Sequence, residues 1–432
     1  MDEGTLRDLL ARATAAEPPI GPIARNALAA GIRLRRRRRI EGATACAAVI
    51  AVVATAVPAL TGQPGHTPPP AAKPTSPPPK AIYVVDTDSG GPGMVTPISL
   101  ATNKPGKPIP VGRSPIYVAV TPDGKTAYVT NDSSGTMTPI TTATNAPGRP
   151  IEIGNYAGNV VITPNGRTAY VITGGPQTRP GSVRPVTTAT NRPGRLIKVG
   201  YNPIPLAVTP GGKTLYVGNY NTSLVTPVAT ATGTPGQPIR TGRGPAAFAF
   251  APDGKTAYAV NQVAGTVTPI NTATNKPGRP IRAGESPIAM AITPDGTTGY
   301  VVDNIGNEVT PISLVTNTPG RPIKVGSGPL AIAITPNGKT AYVLNYVAGT
   351  VTPIATATNT AGPPIKAGKN PRAIVITPDG KTAYVASYGK MIVRHGKPIT
   401  SPGTVTPIAT ATNTAGPPIK VGKDPSALAL VP

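Results

Sequence analysis

Eight polar side chains recur where short apolar runs end: Asp86, Asn131, Thr173, Asn219, Asn261, Asp303, Asn345 and Ser387. If the chain closes into a ring, these groups converge near one mouth and could hold a ligand or a cation, with Asp86 and Asp303 supplying charge. The simpler chemistry is local, because Asn, Asp, Ser and Thr side chains commonly cap their own turns. Two carboxylates on separate repeats, with no histidine or further acid beside them, make a weak metal signal, so a metal role stays open. Cys46 is the single cysteine, which excludes disulfide scaffolds and cysteine-ligated zinc. There are two histidines, His66 and His395; a triad or histidine metal centre has little to draw on, and His66 lies in a Pro-rich stretch. His395 with Asp86 or Asp303 is the one acid/base combination the sequence offers. No phosphate loop, carboxylate pair or Ser/His/Asp set has credible spacing, so the balance is against an enzyme and no cofactor is expected.

The elements that would position these groups follow from the spacing. Of 432 residues, 57 are Pro and 49 Gly, a proportion that marks low complexity unless a period organises it. A T-P-x-G turn recurs at Thr121, Thr163, Thr209, Ala251 (Ala for Thr), Thr293, Thr335 and Thr377, spaced by 42 residues except for one interval of 46. V-T-P-I or a variant places a proline at Pro97, Pro139, Pro185, Pro227, Pro269, Pro311, Pro353 and Pro407. Within one unit, Pro287 to Thr293 predicts strand A, Gly299 to Asp303 strand B, Glu308 to Leu314 strand C and Pro322 to Val325 strand D. Proline inside strand C predicts a bulge or an unpaired carbonyl there. The fold class is therefore all-β, a β-propeller of four-stranded blades. The repeat count gives eight blades, with seven as the alternative if one unit is irregular. The repeats begin at Tyr83 with a B strand and end at Pro425 to Val431 with an A strand, so the two termini complete one blade.

Tyr128-Val129-Thr130-Asn131, Tyr216-Val217-Gly218-Asn219 and Tyr342-Val343-Leu344-Asn345 each follow such a turn and precede an A-T-N segment, varied to A-T-G after Tyr216. In these markers the region 81–432 resembles the YVTN family of β-propeller repeats, although the third strand ends T-P-I-x-T/A in place of V-I-D-T. The resemblance implies an exported or cell-surface propeller. Relatives of the wider fold include lactonases and dehydrogenase-like subunits, but a fold does not transfer an activity.

Ahead of the repeats, residues 1–41 end in an arginine run, and the 18 residues from Ala43 to Leu60 carry no charge. As a helix they would be about 27 Å long, enough to cross a bilayer. The Arg-rich flank orients the N-terminus to the cytoplasm. The expected organisation is a basic cytoplasmic segment (1–41), a transmembrane signal-anchor (42–61), a Pro-rich linker (62–80) and the propeller (81–432). The protein is thus expected in the cell membrane as a single-pass chain, the propeller outside the cytoplasm. This N-terminus resembles those of many single-pass actinobacterial proteins. Ala54-Thr55-Ala56 offers a signal-peptidase site and hence a secreted alternative.

Two units break the period with insertions between strands B and C, which share a face. Arg179, Arg184, Lys390, Arg394, His395 and Lys397 make these loops cationic and candidates for binding. Residues 81–432 carry 30 Lys+Arg against 12 Asp+Glu. Much of the excess recurs by position, with Lys125, Arg167, Lys213, Lys255, Lys339 and Lys381 after the A-to-B turn and Lys107, Arg149, Arg195, Arg279 and Arg321 in C-to-D turns. Such a face would attract wall phosphate polymers, anionic headgroups or nucleic acid. With no Trp and two Phe, nucleic acid is the weakest of these. Solubility is the competing explanation, together with edge protection by cations on outer D strands such as Lys198 and Lys366. The reading is a monomeric, membrane-anchored propeller that binds a protein or an anionic envelope polymer; the alternative is a hydrolase or lactonase acting at the central channel.

Overall fold

The computed structural model describes residues 79–87, 92–174, 180–389, 391–394 and 397–432. Among them there is no helix, and so no helix long and apolar enough to cross a membrane. The segments 1–41 and 42–61 lie outside the described residues, as does the linker up to residue 78.

Eight antiparallel sheets stand side by side, each built from strands A to D in sequence order except where the termini meet. Blade 6 is representative: A is Pro287–Ile292, B is Thr298–Asp303, C is Glu308–Ser313, and D is the short Ile323–Lys324. In blade 1 the C-terminal Pro425–Val431 supplies strand A and pairs with Ala81–Asp86 as strand B, so the two ends of the propeller segment close the ring. The A strands neighbour one another in succession around the centre, Pro425–Val431 lying between Pro371–Ile376 of blade 8 and Pro115–Val120 of blade 2. The result is an eight-bladed β-propeller. The strand pairings and strand contacts that close the ring lie within residues 80–431.

The burial pattern follows from this stacking. Each blade is covered on both faces by its neighbours, so the B strands read as continuous apolar runs, Thr340–Asn345 being buried from Ala341 onward. Around the crowded centre the A strands use small residues, among them Ala247, Ala289, Ala331 and Ala373. At the periphery the D strands of six blades follow a buried isoleucine with an exposed cation, as in Ile239–Arg240 and Ile365–Lys366, while blade 1 has Pro110 and blade 2 Glu152 at that place. Charge on the outermost strand discourages edge-to-edge pairing with another molecule.

The expectation for the C-strand proline is corrected. Each proline sits directly opposite the B-strand tyrosine with the B–C register unbroken, for example Tyr342↔Pro353. Its carbonyl is paired, accepting the N–H of a C-to-D turn glycine, as Gly362 N donates to Pro353 O at 2.8 Å. In an extended strand the N and O of one residue point to the same side, so the missing N–H faces strand D and costs no B–C bond. Strand D is interrupted at that point. Thr360–Ala361 pairs on one side of Pro353 and Ile365–Lys366 on the other. The bulge lies instead in strand A, after its first residue, in seven blades.

Candidate functional site

The side chains that end the B strands are enclosed. Asp86, Asn131, Asn219, Asn261, Asp303 and Asn345 are at most 2 % exposed, and Ser387 and Thr173 are buried with them. They bond to threonines of their own C strand, to the connection that brings the chain in from the preceding blade, or, as at Asp86 and Asn219, to both. Asn131 Nδ2 donates to Thr136 Oγ1 at 3.1 Å and Thr138 Oγ1 at 2.9 Å, and Asn345 does the same with Thr350 and Thr352. Asn219 Oδ1 accepts the N–H of Gly200 at 2.9 Å. The incoming connection passes so close that a Cβ on Gly200 would lie 2.5 Å from Asn219 Cγ, which is why glycine stands there.

The two acids of this ring differ. Asp303 accepts two backbone N–H groups, from Glu285 at 2.8 Å and Ser286 at 2.9 Å. Asp86 accepts the Thr96 hydroxyl at 2.6 Å and the Gly422 N–H, while its Oδ1 has no partner among the described residues. Burial outweighs those bonds and raises its pKa to about 7. Among the described residues no three His, Cys, Asp or Glu lie close enough to share a metal ion.

A second recurring contact joins neighbouring blades. The B-strand tyrosine of one blade donates its hydroxyl to the A-T-N asparagine of the next: Tyr128 to Asn191 at 2.7 Å, Tyr216 to Asn275 at 2.6 Å, Tyr300 to Asn359 at 2.6 Å, Tyr342 to Asn413 at 2.6 Å. Tyr83 donates to Asn145 in the same way, and Tyr384 to Asn103 at 2.7 Å carries the contact across the closure. The asparagine does two jobs, since it also adopts positive φ (54° at Asn359), which Asn tolerates better than most residues. Burial pushes Tyr83, Tyr128, Tyr216, Tyr300 and Tyr342 up to about 12, so each remains a donor. Both partners stand in the sequence as repeat markers, but nothing local shows that they touch.

Blade 4 has Gly233 in place of that asparagine, and Tyr170 falls back on the Thr230 carbonyl at 3.0 Å. Gly233 has φ +69°, and a Cβ there would meet only Ile197, with Cδ1 at an ordinary 3.5 Å. The substitution Gly233→Asn is expected to raise stability by about 1 kcal/mol, from one restored hydrogen bond and a less flexible unfolded chain. Denaturant unfolding checks it, and an unchanged midpoint would show that the amide adds nothing to the carbonyl contact.

Of the loop cations, Arg184 is corrected. It belongs to the lengthened C strand Pro180–Thr187, with its guanidinium bonded to the Ile153 carbonyl at 2.7 Å and the Gly194 carbonyl at 2.9 Å. It fills the place of the V-T-P threonine and fastens backbone, so it is not a free loop cation. Arg394 and Lys397 lie opposite each other in a two-stranded hairpin, Met391–Arg394 with Lys397–Thr400, where a loop is expected from sequence. Arg179, Lys390 and His395 lie outside the described residues. A cation that sequence reasoning missed is Arg372, buried at the bulge of the blade 8 A strand. Its guanidinium lies 4.4 Å from the Tyr388 ring centre and 5.2 Å from that of Tyr346, a cation–π contact joining blades 7 and 8. The available signal was positional, because the same bulge elsewhere carries residues such as Ile116, Ile288 and Leu330.

The recurring cations stand in two sets of turns that adjoin within each blade. Thr142 Oγ1 donates to the Gly124 carbonyl at 2.5 Å and Thr356 Oγ1 to Gly338 at 2.6 Å, so C-to-D and A-to-B turns lie side by side. Lys125, Arg167, Lys213, Lys255, Lys339 and Lys381 are all exposed there, as are Lys107, Arg149, Arg195, Arg279 and Arg321. With Lys104, Arg192 and Lys276 these turns hold fourteen cations against four acids, Asp123, Asp253, Asp295 and Asp379. The Thr121 hydroxyl holds the Asp123 carboxyl below its usual range, and Thr293 and Thr377 do the same for Asp295 and Asp379. Among the described residues the opposite face, formed by B-to-C and D-to-A connections, mixes Arg113, Arg243, Lys369 and Lys423 with Asp132, Glu285 and Asp424, adds Arg394 and Lys397 in the blade 8 hairpin, and exposes Val263, Ile305 and Val347 on successive blades.

No protein-family model matches the chain, and no curated protein does. Solved structures do. The chain is similar to dihydro-heme d1 dehydrogenase NirN in complex with DHE, with a TM-score of 0.67 and 14% identity over 83% of this chain and 77% of that one. Hydrazine synthase of Kuenenia stuttgartiensis matches with a TM-score of 0.51 and 23% identity over 68% of this chain and 99% of that one. A functionally unknown protein from Desulfotomaculum acetoxidans DSM 771 matches with a TM-score of 0.53 and 15% identity, covering 81% and 98%. At these identities the likeness concerns the fold alone.

Proposed function

We propose that the protein is a membrane-anchored, extracytoplasmic binding module whose A-to-B and C-to-D turn face contacts a phosphate-bearing polyanion of the cell envelope. The observation that carries this is the difference in charge: fourteen exposed cations and four acids in the turns of one face, against four exposed cations and three acids in the described connections of the other, to which the blade 8 hairpin adds Arg394 and Lys397. Solubility alone would be served by cations spread over both faces. A hydrolytic site at the channel mouth fits less well, because the ring of B-strand ends is enclosed and bonded within the blades. The protein-partner alternative draws on the opposite face, where the blade 8 hairpin and the three exposed aliphatic side chains stand.

The test is retention of the purified propeller, residues 79–432, on isolated envelope polymer with and without its phosphate groups, across a salt series. Retention that requires phosphate and falls steeply with salt is expected, since each neutralised phosphate releases counterions. Absence of retention at low salt would reject this function and leave the charge as a solubility device.

A further inference from the structure

We propose that the cationic turn face lies against the membrane, and that the polyanion it meets is the plane of anionic phospholipid headgroups. This rests on the reading of that face as the phosphate contact and names its partner.

The first observation is where the chain enters the propeller. Lys80 N donates to the Val431 carbonyl at 2.7 Å, and Lys80 O accepts the N–H of Leu100, which opens the C-to-D turn of blade 1, at 2.9 Å. Lys125 O receives Thr142 N in the same manner, and Lys339 O receives Thr356 N. Lys80 therefore occupies in blade 1 the place that Lys125 and Lys339 hold in blades 2 and 7. The N-terminal segment thus joins the propeller on the cationic face and not on the opposite one. Between the apolar run, which ends at Leu60, and the first strand, which begins at Ala81, lie residues 61–80. A Pro-rich chain of that length reaches about 60 Å when extended, so the tether allows contact with the membrane without forcing it.

The second observation is the layout of the charge. Lys80, Lys125, Arg167, Lys213, Lys255, Lys339 and Lys381 hold one repeat position in seven of eight blades, Thr297 being the exception in blade 6. Equivalent positions around a ring lie at similar height, so these cations form a broad, level array. That shape matches a charged plane better than a single strand or a small anion. Salt screens such contacts beyond about 8 Å at physiological ionic strength, so the face must approach the headgroups closely to be held.

The propeller closes with its own residues and contains no cysteine, because Cys46 lies upstream. Residues 79–432 can therefore be floated with phosphatidylglycerol/phosphatidylcholine vesicles and with phosphatidylcholine alone. Binding at least about tenfold stronger to the anionic vesicles is expected. The triple variant K125E/K213E/K339E should lose about tenfold or more, while R240E/R282E/K366E, which makes the same charge change on the outer wall, should lose much less. A dye on Thr297→Cys should be quenched by quencher-bearing lipid, and a dye on Val347→Cys, on the opposite face, should not. Equal losses from the two triple variants, or equal quenching at the two dyes, would overturn the proposal. Retention on phosphorylated polymer without vesicle binding would overturn it while leaving the proposed function standing, and binding to neither would reject both.

Discussion

Deleting residues 425–432 opens the ring, and the propeller is expected to lose its cooperative unfolding transition and become sensitive to protease. The deletion removes strand A of blade 1, which pairs along Ala81–Asp86 and buries Ala427, Leu428, Ala429 and Val431. It also exposes the flanks of the A strands on either side, Pro115–Val120 and Pro371–Ile376. Net hydrogen bonds are worth about 1 kcal/mol each, and burying Leu and Val side chains about 1.5–3 kcal/mol each, so the loss is at least about 5 kcal/mol. That is comparable with the whole stability of an ordinary domain. Calorimetry and limited proteolysis of residues 79–424 beside 79–432 check it. An unchanged melting curve would show that the C-terminal strand does not close the ring.

The second large effect is expected at Asp86, where Asp86→Asn should stabilise the protein at pH 7.5. Its folded pKa is raised to about 7, chiefly by burial, from an ordinary carboxylate value near 4 in the unfolded chain. Between those values the folded state holds a proton that the unfolded state has released. The stability linked to this group is therefore fully present below about pH 4, falls as pH rises towards 7, and is level above it. Asparagine suits the position, as Asn219 shows by accepting the Gly200 N–H and donating to Thr226 Oγ1 at 3.0 Å. The variant should gain about 2–4 kcal/mol at pH 7.5 and lose this part of the pH dependence. Asp303→Asn should do the reverse, costing about 1–3 kcal/mol, because that carboxylate accepts two backbone N–H groups. Denaturant unfolding of both variants at pH 5 and 7.5 decides it; a parallel shift of the two would show that the partners of the carboxylates do not matter.

Much of the architecture was legible in the sequence. The 42-residue period, the T-P-x-G turns and the two incomplete units at the ends give the blade count and the closure, since turn chemistry and apolar runs are local properties. The strands of blade 6 fall within a residue or two of those read from sequence. Legibility stopped at contacts between segments far apart in the chain. Arg184 reads as a loop cation until strand C is seen to extend through it and the Ile153 carbonyl is seen to reach it. Arg372 reads as one more surface charge until the ring brings Tyr346 and Tyr388 around it.

The sequence by itself determined that this chain builds a repetitive all-β ring and that its turns carry a regular excess of cations. Periodic turn residues and apolar runs act over a few positions, and their repetition leaves few alternatives. Only the tertiary structure decided that the B-strand ends are enclosed, that tyrosine and asparagine fasten one blade to the next, and that Lys80 brings the chain in on the cationic face. Those outcomes depend on which repeats become neighbours when the ring closes, and on how closely glycine lets their backbones approach.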